Sequence, residues 1–286
     1  YESYAPVVAL LKSAASDPAV LAIKMTVYRT GTDSPVVDAL INAARNGKEV
    51  TAVVELRARF DEAANIDLAT RLQDAGAKVA YGVVGYKCHA KMMLIVRREE
   101  GQIKRYCHLG TGNYHTGTSR FYTDFSFLTA DPDLCEDVHN VFMQLTSLGR
   151  VLPMNKLLHA PFTLKTTLIE LIQAEQDAAR NGKPAAIRAK LNSLSDQSVI
   201  NALYAASQAG VQVDLVVRGI CCLRPGVPGM SENIRVRSIL GRFLEHARVY
   251  HFHSGGKNLV FIASADWMDR NLDRRVEVAV PITEKK

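Results

Sequence analysis

Two short stretches carry side chains of the right type and spacing for chemistry. In KCHAKMMLIV (87–96), His89 stands two residues before Lys91, and in EHARVYHF (245–252), His246 stands two residues before Arg248. Residues two apart on a strand share a face, so each stretch sets an imidazole beside a cation. A neutral imidazole is a good nucleophile near neutral pH. Phosphoryl transfer asks mainly for placement and for positive charge around the phosphate oxygens. That charge is present near the ends of apolar runs: Lys24, Arg29, Arg57, Arg59 and Lys91 in the first half, then Lys190, Arg218, Arg248, Arg274 and Arg275 in the second. In open α/β sheets, ligands gather at strand ends, and the arginine fork matches phosphate oxygens.

A lone histidine at a strand end ordinarily packs and does no chemistry. An internal repeat argues against that reading here. PVVDALINAARNGKEVTAVVEL (35–56) and SVINALYAASQAGVQVDLVVRG (198–219) match without a gap at Ala39/Ala202, Leu40/Leu203, Ala43/Ala206, Gly47/Gly210, Val50/Val213, Val53/Val216 and Val54/Val217. Each copy reads as an amphipathic helix, a glycine C-cap and a β-branched strand. Upstream, the pattern sets Lys24 and Lys190 in like places on apolar strands; downstream come His89-Ala90-Lys91 and His246-Ala247-Arg248. Two β-α-β copies predict an α/β protein of two similar lobes with mixed sheets flanked by helices. The spacing predicts helices across 134–185, with Gly182 as a C-cap, and a boundary near residue 156. The expected lobes are 1–156, carrying His89, and 157–286, carrying His246. Lobes so related are expected to pool their histidines in one cleft.

A third element is the turn Leu109-Gly110-Thr111-Gly112-Asn113, whose glycines let backbone N–H groups approach an anion and whose Asn113 adds an amide. Lys24, Lys91, Asn113, Lys190 and Arg248 are thus the candidate phosphate-binding set. In RFYTDF (120–125), strand alternation would put Tyr122 on a polar face with Arg120 and Asp124, and Phe121 and Phe125 on the core face. The chain has 286 residues and a formal net charge of +6, a balance that suits polyanionic partners. Its five cysteines show no zinc spacing and read as reduced thiols of a cytoplasmic protein. No apolar run is long enough for a membrane span, and no signal peptide is visible. The sequence opens on Tyr1 within a helical pattern, which reads as a piece of a longer protein.

Taken together, IKMTVYRTG, ELRARFDEAANI, GYKCHAKMMLIVRRE, HLGTGNYHTGTSRFYTDFSFLT, VRGICCLRPG and SADWMDRNLDRRVE resemble the C-terminal half of the bacterial polyphosphate kinase 1 family. The resemblance covers nearly the whole chain. It implies two phospholipase D-like lobes and reversible transfer of the ATP γ-phosphate to a polyphosphate end through a phosphohistidine. The family's nucleophile falls on His89 and its second catalytic histidine on His246. Its ATP contacts fall on Tyr122, Arg218 and His246, and its magnesium-phosphate site on Arg29 and Arg59. Arginine has no lone pair for a metal, so these two would grip phosphates that ligate Mg²⁺. The implied partners are ATP or ADP, inorganic polyphosphate, N-terminal domains of the same chain absent here, and further copies in a homo-oligomer; nucleic acid is not expected. The implied location is the cytoplasm or the periphery of the inner membrane.

Two rival classes are weaker. A phospholipase D-type phosphodiesterase wants an acid five residues after each cation; Val96 and His253 stand there. A non-catalytic polyanion-binding module explains the basic residues but not two matched histidines.

Overall fold

A computed structural model of the chain describes residues 3–27, 34–55, 62–83, 85–146 and 151–283. Two compact units emerge: residues 1–122 with 126–157, and residues 123–125 with 158–286. The division is not contiguous, because Thr123–Phe125 group with the second unit while their neighbours on both sides belong to the first.

The first unit contains α1 (Ala5–Ser16), β1 (Val20–Val27), α2 (Pro35–Arg45), β2 (Glu49–Val54), α3 (Glu62–Asp74), β3 (Lys78–Ala80), β4 (Lys87–Cys88), β5 (Lys91–Glu99) and β6 (Gln102–Gly110). After β7 (Tyr122–Thr123) come β8 (Ser126–Thr129) and α4 (Pro132–Thr146). Its sheet runs β3-β2-β1-β5-β6-β8, parallel through β1, β2 and β3 and antiparallel through β5, β6 and β8. The second unit contains β9 (Leu158–Ala160), α5 (Leu164–Arg180), β10 (Ala186–Leu191), α6 (Gln197–Gln208), β11 (Gln212–Val217), β12 (Ile234–Arg237), β13 (Leu244–Glu245), β14 (Arg248–Phe252), β15 (Leu259–Ala263), α7 (Asp269–Asp273) and β16 (Arg275–Ile282). Its strands follow β12-β11-β10-β14-β15-β16, with β9 against β16. The order and mixed directions repeat those of the first unit. The α/β class and two-lobed duplication expected from the sequence are present.

The repeated helices end as their glycines dictate. Gly47 and Gly210 take φ of 78° and 95°, left-handed values that glycine adopts without a Cβ clash. Each turn is closed by a bond across it, Lys48 N to Ala43 O at 3.1 Å and Val211 N to Ala206 O at 3.0 Å. At its start, α6 is capped by Asp196, whose Oδ1 accepts from Val199 N at 3.0 Å. Strand and helix positions together fill the cores: Ile23, Met25, Ala52 and Met93 with Leu40 of α2 in one unit, and Ile187, Leu215, Tyr250 and Phe252 with Leu203 of α6 in the other. Burying each large apolar side chain stabilises by about 1.5–3 kcal/mol, and this frame holds the histidine-bearing strands.

Strand register corrects two expectations. Val53 of the repeat lies beside Thr26, whereas its counterpart Val216 lies beside Lys190. Lys190 is therefore equivalent to Thr26, not to Lys24, and Lys24 is equivalent to Arg188. Apolar β-branched runs carry no internal mark that separates one register from another two residues away. The stretch 120–125 is also not one alternating strand. Thr118–Arg120 form a 3₁₀ turn, only Tyr122 and Thr123 are extended as a strand, and Phe121 and Phe125 are exposed rather than core.

Candidate functional site

In the first unit, the sheet brings His89 to the start of β5. Just before it, Cys88 N donates to Glu55 Oε2 at 3.1 Å, which ties the β4 backbone to the end of β2. His89 is half-buried. Lys91 opens β5 with 1 % of its surface exposed, and its Nζ donates to the His89 carbonyl. A buried ammonium is tolerated only when hydrogen-bonded; here one of those bonds also fixes the backbone that carries the histidine. Lys91 lies opposite Gly110 in the β5–β6 register. The glycine turn follows at once, with Thr111 fully buried. Three residues past Gly110, Asn113 Oδ1 is buried without a hydrogen-bond partner.

In the second unit, the equivalent place just ahead of β14 carries a charged network. His246 Nδ1 lies 2.8 and 3.0 Å from the two carboxylate oxygens of Asp124, and its Nε2 lies 3.3 Å from an Arg248 terminal nitrogen. Arg248 grips Asp266 with two parallel bonds, Nε to Oδ1 at 3.2 Å and a terminal nitrogen to Oδ2 at 3.1 Å. Both side chains of that pair are almost fully buried, where a bidentate geometry offsets desolvation better than a single contact. Asp266 Oδ1 also accepts from the backbone of Asn192 at 2.7 Å. Asn192 in turn donates to the His246 carbonyl at 3.2 Å and accepts from Arg218 Nε at 3.1 Å. Lys190 Nζ donates to the Ala247 carbonyl at 3.1 Å and pairs with Glu245 at 3.1 Å. Burial alone would raise the Glu245 carboxyl; hydrogen bonds from Lys190 and Thr123 outweigh it and hold the group below its usual range.

Of the sequence-predicted residues, His246, Arg218, Lys190 and Arg248 thus meet in one network, and His89 and Lys91 meet in another. Lys24 stands apart from His89: its Nζ lies 4.0 Å from Met143 Sδ under α4, and burial lowers its pKa. Tyr122 is half-buried, directly before Thr123. Arg29 and Arg59, like Arg57, lie outside the described residues. Sequence reasoning missed Asp124 as a partner of His246 and Asp266 as a partner of Arg248. It also missed His108, which is buried, hydrogen-bonded through Nδ1 to the Tyr114 hydroxyl at 2.8 Å, and pushed down by burial to a pKa of about 4.

Among the described residues no group of three or more His, Cys, Asp or Glu side chains is disposed to hold a metal ion, and the three acids of the second network, Asp124, Asp266 and Glu245, are engaged by His246, Arg248 and Lys190. The described residues do not fit a protein-ligated Mg²⁺. All five cysteines are free thiols, and among the described residues no helix is long and apolar enough to cross a membrane.

What this arrangement can do is hold two imidazoles, each just ahead of a strand that a buried cation opens, with Arg218 fixed close to the second. The comparisons with known proteins agree with that duplication. The family model described as polyphosphate kinase C-terminal domain 1 matches residues 1–151, and that described as C-terminal domain 2 matches residues 157–286. A polyphosphate kinase of Pseudomonas aeruginosa is 64 % identical over all 286 residues, which are 41 % of that protein. The chain thus spans less than half the length of the curated relatives it matches. A crystal structure of polyphosphate kinase from Porphyromonas gingivalis superposes with a TM-score of 0.90 at 40 % identity, covering 99 % of this chain and 46 % of that one. Phosphatidylserine synthase of Haemophilus influenzae matches in fold alone, with a TM-score of 0.64 at 11 % identity over 99 % of this chain and 81 % of that one. The chain belongs to the polyphosphate kinase family, of which it comprises the two C-terminal domains.

Proposed function

We propose that this chain carries the catalytic centre of a phosphotransferase that moves the ATP γ-phosphoryl group reversibly onto the end of inorganic polyphosphate through a phosphohistidine on His89. The observation that supports it most is the repetition of His-x-cation at equivalent places of two duplicated sheets: Lys91 and Arg248 open equivalent strands, and His89 and His246 stand two residues ahead of them. In the first step a lone pair of the His89 ring attacks the γ-phosphorus, the bond to the bridging oxygen breaks, and ADP leaves with that electron pair. In the second step a terminal oxygen of polyphosphate attacks the same phosphorus, and the P–N bond returns its electrons to the ring. The P–N bond keeps a high transfer potential, so the phosphoryl group can pass to ADP or to the polymer.

In this reading Lys91 and Arg218 face the transferring group with positive charge, and the neutral Asn113 amide serves the phosphate oxygens. Lys190 and Arg248 act through the backbone and ring of the His246 segment. Tyr122 takes the nucleotide base, Arg218 and His246 the phosphates. Arg29 and Arg59 grip the phosphate oxygens, and Mg²⁺ arrives with the nucleotide rather than as a protein-held ion. The remaining length of the relatives supplies N-terminal domains that complete the nucleotide site, and the intact protein works as a homo-oligomer in the cytoplasm or at the inner face of the membrane. The test is incubation of the intact polypeptide with γ-labelled ATP, then with unlabelled polyphosphate. Acid-labile label should appear on the protein and move into polymer; label that never reaches the protein, or never leaves it, would overturn the scheme.

A further inference from the structure

We infer that the outer face of β10, β11 and β12 is the seat of an acidic amphipathic helix of the intact polypeptide, one that follows β16 as α4 follows β8. The inference does not depend on the phosphotransfer reading. It starts from strand direction. The three strands run parallel to one another, and parallel strands are found almost only where both of their faces are covered. One face packs into the core, where Ile187, Ala189, Val213 and Leu215 meet Leu168 of α5 and Leu203 of α6. The other face carries Arg188, Asp214 and Arg235 side by side in one cross-strand row, with Val216 and Arg237 in the next. All three arginines are exposed, and a cavity of about 370 Å³ opens over them.

The first unit shows the same face finished. Lys24, Leu94 and Cys107 form one cross-strand row, and the duplicated register maps them onto Arg188, His251 and Val260. The helix α4 lies over the first row. Met143 Sδ is 4.0 Å from Lys24 Nζ, Cys135 Sγ donates to the Arg105 carbonyl at 3.3 Å, and Leu94 and Cys107 are 0 % and 2 % exposed. In the second row Arg188 is exposed, and His251 and Val260 are only half-buried. β8 and β16 are equivalent, because Ser126 pairs with Gly110 as Ala279 pairs with Ala263. A helix set after β16 by the same duplication would meet the second row. The relatives are more than twice the length of this chain, so residues are available to supply it.

Charge specifies the occupant. Asp214 is already gripped by Arg235, with Nε 2.9 Å from Oδ1 and a terminal nitrogen 3.2 Å from Oδ2. Arg188 and Arg237 have no acidic partner among the described residues. Three guanidinium groups against one carboxylate leave the seat positive around half-buried Val216, Val249 and Val260. The helix that fits sets an apolar stripe on the valines and Asp or Glu at its flanks, where a carboxylate meets the arginine fork. The first unit uses the same device, since Glu136 of α4 accepts from Arg105 at 2.7 Å.

The test uses Arg188→Lys, Arg237→Lys and Val216→Cys, each in the intact polypeptide. The two lysine substitutions keep the charge and offer an amine to a zero-length carbodiimide; the cysteine is treated with a maleimide. Products are located by peptide mass spectrometry. Amide bonds should join position 188 or 237 to an Asp or Glu beyond residue 286. The thiol at position 216 should react at least about 10-fold more slowly than in the urea-unfolded protein. Failure to find a link beyond residue 286, whether links run instead to another copy, to residues ahead of Tyr1 or only to Asp214, would overturn the inference. So would a thiol reacting within about 10-fold of the unfolded rate, or protection that appears only when polyphosphate is added, which would make the face a polyanion surface. If Val216→Cys fails to fold, the two Arg→Lys variants decide.

Discussion

The first unit places Lys91 opposite Gly110 and Asn113 three residues on; the second places Arg248 opposite Ala263 and Asp266 three residues on. Strand order and register are the same, yet one position holds a neutral amide where the other holds a carboxylate. Arg248 has its charge met within the protein, whereas the place that would answer Lys91 in the same way is not acidic. The interiors differ likewise. His108 of the first unit stands where Phe261 stands in the second, because each lies opposite an equivalent strand residue, Met93 and Tyr250. Duplication fixes where chemistry stands but not its charge. One copy sets a neutral amide three residues past the glycine opposite its cation, and the other sets there the carboxylate that holds its cation.

If that contrast is right, breaking each cation should have different consequences. Arg248→Ala strands the buried Asp266 carboxylate and should cost about 3–5 kcal/mol of stability, read as a lowered denaturation midpoint. Lys91→Met should cost only about 1 kcal/mol while abolishing phosphotransfer. Equal losses of stability would erase the distinction between the two sites.

The interior difference predicts an acid response specific to the first unit. Burial holds the His108 pKa at about 4, below the unfolded value of about 6.5. The folded state then binds fewer protons than the unfolded state between those values. The contribution is complete above about pH 6.5 and falls as pH drops toward 4, by roughly 3 kcal/mol in all. Denaturation at stepped pH should show this slope, and His108→Gln should flatten it, whereas substitutions at Phe261 should leave it in place.

Two smaller effects sharpen the ligand side. Tyr122→Ala should raise KM for ATP by an amount equivalent to about 1–3 kcal/mol of lost base stacking, with little change in thermal midpoint. A large stability loss with unchanged KM would make Tyr122 a packing residue. Asn113→Asp gives the first unit the acid of the second; it should lower kcat/KM for ATP about tenfold, near 1.4 kcal/mol, because a carboxylate there repels phosphate. An unchanged kcat/KM would place the phosphates elsewhere.

The helix–glycine–strand repeat was legible because helical period, C-cap chemistry and β-branched runs all mark the same elements. His89-x-Lys91 and His246-x-Arg248 were legible as a repeated spacing, although only the cations lie on the strands and the histidines stand just ahead of them, so strand alternation is not what sets the pair. The Asp124 partnership was not: that acid is 122 residues from His246 in sequence, and period-2 reasoning assigned Asp124 only to a polar face. Asp266 sat inside a quoted motif, but its role depends on a strand pairing that the sequence does not number. The Lys24–Lys190 equivalence failed for the same reason, since a slip of two residues keeps every side chain on its own face.

The central claim is that His89 receives the phosphoryl group. The most direct measurement is mapping of the labelled residue after brief exposure of the intact polypeptide to γ-labelled ATP, alongside His89→Ala and His246→Ala. Acid-labile phosphate should map to His89, vanish in His89→Ala, and turn over slowly in His246→Ala. Full labelling of His89→Ala, or phosphate mapping to His246 alone, would contradict the account.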